Sequence, residues 1–165
     1  MLDTLLVKRA QKHDMDAFVR LIEKNKTNLY KVAKSYLGNE EDVADAVQDT
    51  VLSAYEHIHE LRNASYFKTW ITRILMNHCN DLLRQQKHCL VSDQIIQTVD
   101  AVPEKDQEFY ALIGELPEDY RMIFLLYYGE QFHTNEIAQI LDMNENTVKS
   151  KLRRGREKLK HILCY

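Results

Sequence analysis

Between Glu145 and Lys160 lie seven Lys/Arg (Lys149, Lys151, Arg153, Arg154, Arg156, Lys158 and Lys160) and two Glu, a local charge of +5 in a chain whose net charge is −3. Cations gathered this densely suit phosphate contact, and Lys and Arg also hydrogen-bond guanine edges in the major groove. The segment before it, Thr134–Leu141, carries apolar residues at helical spacing and breaks at Asp142-Met143-Asn144. The pattern predicts a helix, a tight turn and a second, basic helix, the arrangement that lays a helix in the major groove. Asn144 is a good N-cap, and Asp142 must take the left-handed turn position, which Asp tolerates better than most residues. Ile137, Ala138, Leu141, Met143, Val148 and Leu152 are expected to form the seam between the two helices. That leaves Asn146, Lys149, Ser150, Arg153 and Arg154 exposed for DNA.

Two other stretches could do chemistry. Tyr66, Phe67 and Trp70 stand among Arg62, Lys68 and Arg73, with Asn77 further on. Aromatics interleaved with cations suit single-stranded DNA, where unstacked bases need π-faces and phosphates need charge. Phe67 and Trp70 read as core at helical spacing, which leaves Tyr66, Asn77 and the cations as contacts. Residues 40–60 hold Glu40, Glu41, Asp42, Asp45, Asp49, Glu56 and Glu60 without one Lys or Arg. Within them Asp45, Gln48 and Asp49, at i, i+3 and i+4, share one surface that could meet a basic partner helix.

The elements that position these groups are helical. Phe18, Leu21, Ile22, Leu29, Val32, Ala33 and Tyr36 predict a helix over 16–37, with Gly38 as its stop. Val43, Val47, Val51, Ala54, Tyr55 and Ile58 predict a second over 40–60. Phe67, Trp70, Ile71, Ile74, Leu75 and Leu82 predict a third from Ser65 to Gln86. Residues 89–106 lose the periodicity, are acidic and contain Pro103, and so read as a flexible linker. Helical spacing resumes near Gln107. Pro117 suits the first turn of a helix, Tyr120, Ile123, Phe124 and Tyr127 form its apolar stripe, and Gly129 ends it. Four Gly and two Pro in 165 residues also favour helix. The expected fold is all-α: a helical domain over 1–88, an acidic linker over 89–106 and a helix-turn-helix domain over 107–165.

Several classes are disfavoured. No stretch approaches the ~20 apolar residues of a membrane span, and no signal peptide is visible, so the expected location is cytoplasmic. Cys79, Cys89 and Cys164 are odd in number and irregularly spaced, suggesting neither disulfides nor zinc. His57 and His59, two apart, do not share a helix face. No catalytic or phosphate-loop motif is present, so no catalytic residues, metal or cofactor are expected.

The chain resembles the bacterial extracytoplasmic-function (ECF) sigma factors of the sigma-70 family over nearly its whole length. Asp45-x-x-Gln48-Asp49 looks like the helix that binds the coiled-coil clamp helices of the polymerase β′ subunit. Arg62-Asn-Ala-Ser-Tyr-Phe-Lys-Thr-Trp-Ile-Thr-Arg-Ile-Leu-Met-Asn77 is similar to the segment that opens the −10 element and holds a flipped base. This implies −10 contacts from Arg62, Asn63, Ser65, Tyr66, Lys68, Arg73 and Asn77. Leu116-Pro117-Glu118-Asp119-Tyr120-Arg121 and Thr147-Val148-Lys149-Ser150-Lys151-Leu152 look like region 4, which reads the −35 element and docks on the β flap. The resemblance implies a non-enzymatic subunit partnered by core RNA polymerase, promoter DNA and an anti-sigma factor. Two departures stand out: the loop between Glu60 and Ser65 lacks a Gly often seen there, and position 155 is Gly, where a better helix former is usual. By propensity alone that Gly softens the helix by roughly 1 kcal/mol. The rival readings are a stand-alone helix-turn-helix regulator with a helical sensing domain, and a helical scaffold without a DNA role.

Overall fold

The computed structural model describes residues 2–89 and 104–164. The chain divides into two compact units, Met1–Ile95 and Ile96–Tyr165, and the described residues of both are helical and contain no strand. Residues 90–103, most of the expected linker, lie outside the described residues. Its two described ends are helical, because the third expected helix runs on to Cys89 and the next begins at Glu104.

The first unit contains α1 (Leu2–Ala10), α2 (Met15–Tyr36), α3 (Glu40–His57) and α4 (Phe67–Cys89), with 3-10 turns at Ile58–Glu60 and Ala64–Tyr66 between α3 and α4. Side-chain caps fix the helix starts. Asp14 accepts from the Ala17 amide at 3.1 Å, and Asn39 accepts from the Asp42 amide at 2.8 Å. The Asp14 carboxyl is held below the usual range by that amide and by Arg9. Helix α1 was not expected from the sequence, since nine residues hold barely two periods. It forms because Leu6, Val7 and Ala10 are buried against α2. Gly38 is not the stop of α2. The helix ends at Tyr36, Leu37 is extended, and no glycine takes the left-handed backbone.

The buried stripe of α3 also differs from the expected one. It runs Val43, Ala46, Thr50, Ala54, while Val47 and Val51 are half-buried and Tyr55 is exposed. Small residues at 46 and 54 let α3 lie close to α4, its most extensive neighbour. Thr50 is buried without cost to its hydroxyl, which donates to the Ala46 carbonyl at 2.6 Å. Ile71, Leu75, Met76 and Cys79 are buried on α4, which packs on both α3 and α2. Burial pushes the Cys79 thiol up to about 12, so at neutral pH it is a packing group.

The second unit contains α5 (Glu104–Gly114), α6 (Glu118–Phe124), α7 (Thr134–Ile140) and α8 (Glu145–Leu163). Pro117 stands one position before the first helical residue of α6, its carbonyl accepting from Tyr120 N at 2.9 Å. Met122 to Leu126 are buried without interruption, which makes α6 the central helix of the unit. A π-helical turn, Leu125–Gly129, continues it. The turn between α7 and α8 is a Schellman motif: Met143 N donates to Ala138 O at 3.0 Å, and Asp142 sits at φ 51°. Asn144 then caps α8 by accepting from the Asn146 amide at 2.8 Å. The seam is built by Ile137, Ile140, Val148 and Leu152, whereas Ala138, Leu141 and Met143 are only half-buried.

Gly155 overturns the expectation of a soft helix. It is buried, and a Cβ there would fall 2.4 Å and 2.6 Å from the Phe124 ring and 3.3 Å from Tyr120. Glycine lets α8 approach α6 closely, and α8 continues unbroken to Leu163. Propensity alone makes Gly155→Ala stabilising. Overpacking predicts the opposite, a loss of about 1–3 kcal/mol, read as a lower urea midpoint at unchanged m-value.

Candidate nucleic-acid and polymerase interfaces

Contact with α6 and α7 decides which face of α8 is free. Val148, Leu152 and Gly155 are buried. At 3.6 residues per turn the opposite strip carries Asn146, Ser150 and Arg153, with Lys149 and Arg154 on its two flanks. Asn146, Lys149, Arg153 and Arg154 are exposed and Ser150 is half-buried. Lys149 lies 2.9 Å from Glu145, and Arg153 lies 3.5 Å from Glu157. Exposed i, i+4 pairs are worth only ~0.3–0.5 kcal/mol, so both cations can exchange a carboxylate for a phosphate or a base at little cost. Glu145 is held below the ordinary carboxylate range, first by Lys149 and then by the Thr134 hydroxyl, which donates to it at 2.7 Å. Among the described residues Arg154 has no acidic partner.

Two of the seven cations are tied to neighbouring elements of the unit, Lys151 half-buried and Arg156 still exposed. Lys151 lies 3.4 Å from Asp119 and 5.6 Å from the Tyr120 ring centre. Arg156 Nε donates to the Tyr128 hydroxyl at 2.6 Å, and its guanidinium lies 5.8 Å from the centres of the Tyr127 and Tyr128 rings. The Tyr128 bond raises the Arg156 pKa above its usual value. These residues bolt α8 to α6 and the π turn on either side of Gly155. The charge count of the segment therefore overstates what the outer face presents. Spacing held the signal, since Lys151 lies beside Val148 and Arg156 lies beside Leu152 on the helical wheel.

In the first unit Arg62, Asn63, Ser65 and Tyr66 lie in the loop that links α3 to α4, and all four are exposed. Asn63 Oδ1 accepts from the Ser65 amide at 3.0 Å and from its hydroxyl at 2.8 Å. Both residues therefore shape the loop. Tyr66, Arg73 and Asn77, at i, i+7 and i+11, form one exposed strip continuing along α4. Trp70 lies within that strip, half-buried, its ring 5.9 Å from that of buried Phe67. Lys68 does not join them. It projects about half a turn away, half-buried, into a cleft that Asp3 of α1 and Asn25 of α2 also line.

Asp45, Gln48 and Asp49 are exposed on α3. Leu52 and Tyr55, 58% and 44% exposed, extend this surface with apolar area that the charge pattern did not flag. Leu52 was nonetheless legible at i+4 from Gln48. Among the described residues no cluster of His, Cys, Asp and Glu could hold a metal ion, and no helix is long and apolar enough to cross a membrane.

Comparison with known proteins assigns both units. Residues 21–89 match the family described as Sigma-70 region 2, and residues 94–159 match Sigma-70, region 4. RNA polymerase sigma factor SigV of Bacillus subtilis (strain 168) is 34% identical over 141 residues, covering 83% of this chain and 85% of that protein. The ECF RNA polymerase sigma-E factor of Escherichia coli (strain K12) is 30% identical over 179 residues, covering 94% and 91%. The structure of CnrH in complex with the cytosolic domain of CnrY shares the fold, with a TM-score of 0.72 at 24% identity over 99% of this chain and 97% of that one. A stand-alone regulator is not favoured, because sigma region 2 occupies the unit where such a protein would carry a sensing domain. The chain belongs to the ECF sigma factors of the sigma-70 family, the subunits that direct RNA polymerase to start transcription at specific promoters.

Proposed function

We propose that this sigma factor divides its work among three exposed strips. Asp45, Gln48 and Asp49 dock on the β′ clamp helices of core RNA polymerase. The loop and strip of Arg62, Asn63, Ser65, Tyr66, Arg73 and Asn77 melt the −10 element and hold its non-template strand. Asn146, Lys149, Ser150, Arg153 and Arg154 read the −35 duplex, while the second unit also meets the β flap. Lys68, on the other side of α4, lines the cleft with Ser65 of the loop and adds its cation to the −10 contact from that side. The observation that carries this reading is the segregation of chemistry: an all-acidic helix face, an aromatic–cationic loop and a cationic helix strip, each exposed and each held by its own packing. Unstacking a base costs a few kcal/mol, and aromatic stacking worth ~1–3 kcal/mol per base offsets it. The polymerase supplies the nucleotidyl transfer, so the subunit itself needs no catalytic group or cofactor. The site of action is the cytoplasm. An anti-sigma factor completes the partner set, in keeping with the similarly folded RpoE of Bartonella quintana, solved with the anti-sigma factor NepR.

Three measurements test the strips separately. The double variant Asp45→Arg, Asp49→Arg alters only exposed residues, so it should fold normally and retain much less core polymerase in a pull-down. Wild-type retention by the folded variant removes α3 from the dock. Asn77 can donate to and accept from a base edge, so Asn77→Ala should lower promoter melting more than closed-complex binding. A template with a pre-melted −10 bubble should partly rescue it, and unchanged permanganate reactivity on duplex promoter would sink the assignment. On the −35 side, Arg154→Ala should cost ~1–3 kcal/mol and relax preference at one base position. Alanine at Lys158 or Lys160 should weaken binding evenly across sequences and lower the salt slope by about one. A uniform loss for Arg154→Ala would reassign that residue to phosphate.

A further inference from the structure

Gln11, just past the end of α1, makes two hydrogen bonds with one nitrogen. Its Nε2 donates to the Ile58 carbonyl at 2.9 Å and to the Leu61 carbonyl at 2.8 Å, across 47 and 50 residues of chain. Those carbonyls lie where the chain leaves α3 and starts the loop that carries Arg62, Asn63, Ser65 and Tyr66. The other end of the loop also meets α1. The 3-10 turn Ala64–Tyr66 packs on that helix, and Asp3 and Thr4 face Ala64 and Ser65 across the cleft. Helix α1 thus runs alongside the loop for about 13 Å, touching its far end with its first turn and its near end with Gln11. It is in turn tied to α2 at both ends, by Asp3–Lys24 at 2.6 Å and by Arg9–Asp14 at 2.7 Å.

We propose that α1 is a splint for the melting loop and that Gln11 is its clasp, a positioning residue for capture of the −10 strand. This rests on the reading of the loop as the −10 contact. The physical reason is preorganisation. A loop that must trap an unstacked base forfeits binding energy if it has to be ordered at that moment. The loop's own bonds are local, from Asn63 to Ser65, so they shape its tip without fixing where it stands. Two carbonyls held by one half-buried amide supply that anchorage. No charge is involved, so the clasp is insensitive to the salt that screens phosphate contacts.

Gln11→Met keeps the length of the side chain and removes both donors. Gln11→Glu keeps the shape and turns carboxylate oxygen toward two carbonyl oxygens. Loss of two hydrogen bonds at the lower end of ordinary net strength lowers the ratio of seated to unseated loop about tenfold. The test uses full-length protein in holoenzyme, on a duplex promoter carrying a fluorescent base analogue in the −10 non-template strand. Expected are about tenfold slower melting for Gln11→Met and a larger defect for Gln11→Glu. Core polymerase affinity and closed-complex binding should stay near wild type, and Tm should fall by no more than a few degrees. Melting within twofold of wild type for Gln11→Met would overturn the clasp. So would a parallel fall in Tm and core affinity, which would make Gln11 a general support of the unit. Tyr66→Ala, measured alongside, separates the two ideas: if it melts normally, the loop is not the −10 contact, and if it alone is defective, only the clasp fails.

Discussion

The approach of Gly155 to the Phe124 ring sets the direction of the cationic strip on α8. Val148 and Leu152 mark the inner face of this helix, but only to within about one residue position. Close contact at one point, flanked by Lys151 on Asp119 and Arg156 on Tyr128, removes the rotational freedom. The second unit spends two of its cations on this. Arginine suits the task because its planar group lies against two tyrosine rings and still donates a hydrogen bond. Among the described residues the remaining cations are paired loosely along the helix or unpaired, and so stay available to a polyanion.

The first unit solves the same problem with small residues. Ala46 and Ala54 let α3 lie against α4, and the buried Thr50 satisfies its hydroxyl within its own helix. Links across the helix pairs then hold α4 in place, from Tyr36 to Asn80 at 2.6 Å and from Ser53 to His78 at 3.0 Å. The consequence is that the acidic face of α3 and the Tyr66–Asn77 strip are both turned outward. Glu40 at the start of α3 pairs with Lys34, but Asp45, Asp49 and Arg73 form no internal ion pair among the described residues.

Charge is distributed by the same logic. A net charge of −3 opposes the long-range attraction to DNA, so affinity for phosphate rests on the cations gathered locally. With acids gathered on α3 and cations on α8, each of these proposed contact surfaces, though not each unit as a whole, carries the sign its partner lacks.

Local chemistry was legible in the sequence. Asn144 caps α8 and Asp142 takes the left-handed position because caps and turns depend on a few adjacent residues. The outward strip of Asn146, Arg153 and Arg154 followed from helical period alone. Family membership was legible too, in the Asp45-x-x-Gln48-Asp49 helix and the segments around Trp70 and Thr147. What tertiary structure decided were distances between helices. The apolar period marks a face to within about one residue position, so it chose Val47 and Val51 where close packing selected Ala46 and Thr50. It could not tell that Gly155 is a contact point or that Lys68 lines a cleft. Each depends on how near another helix comes. Helix α1 and the Gln11 clasp were invisible for the same reason: nine residues have too little periodicity to declare a helix, and an amide that bonds carbonyls 47 and 50 residues away leaves no mark on its neighbours in the chain.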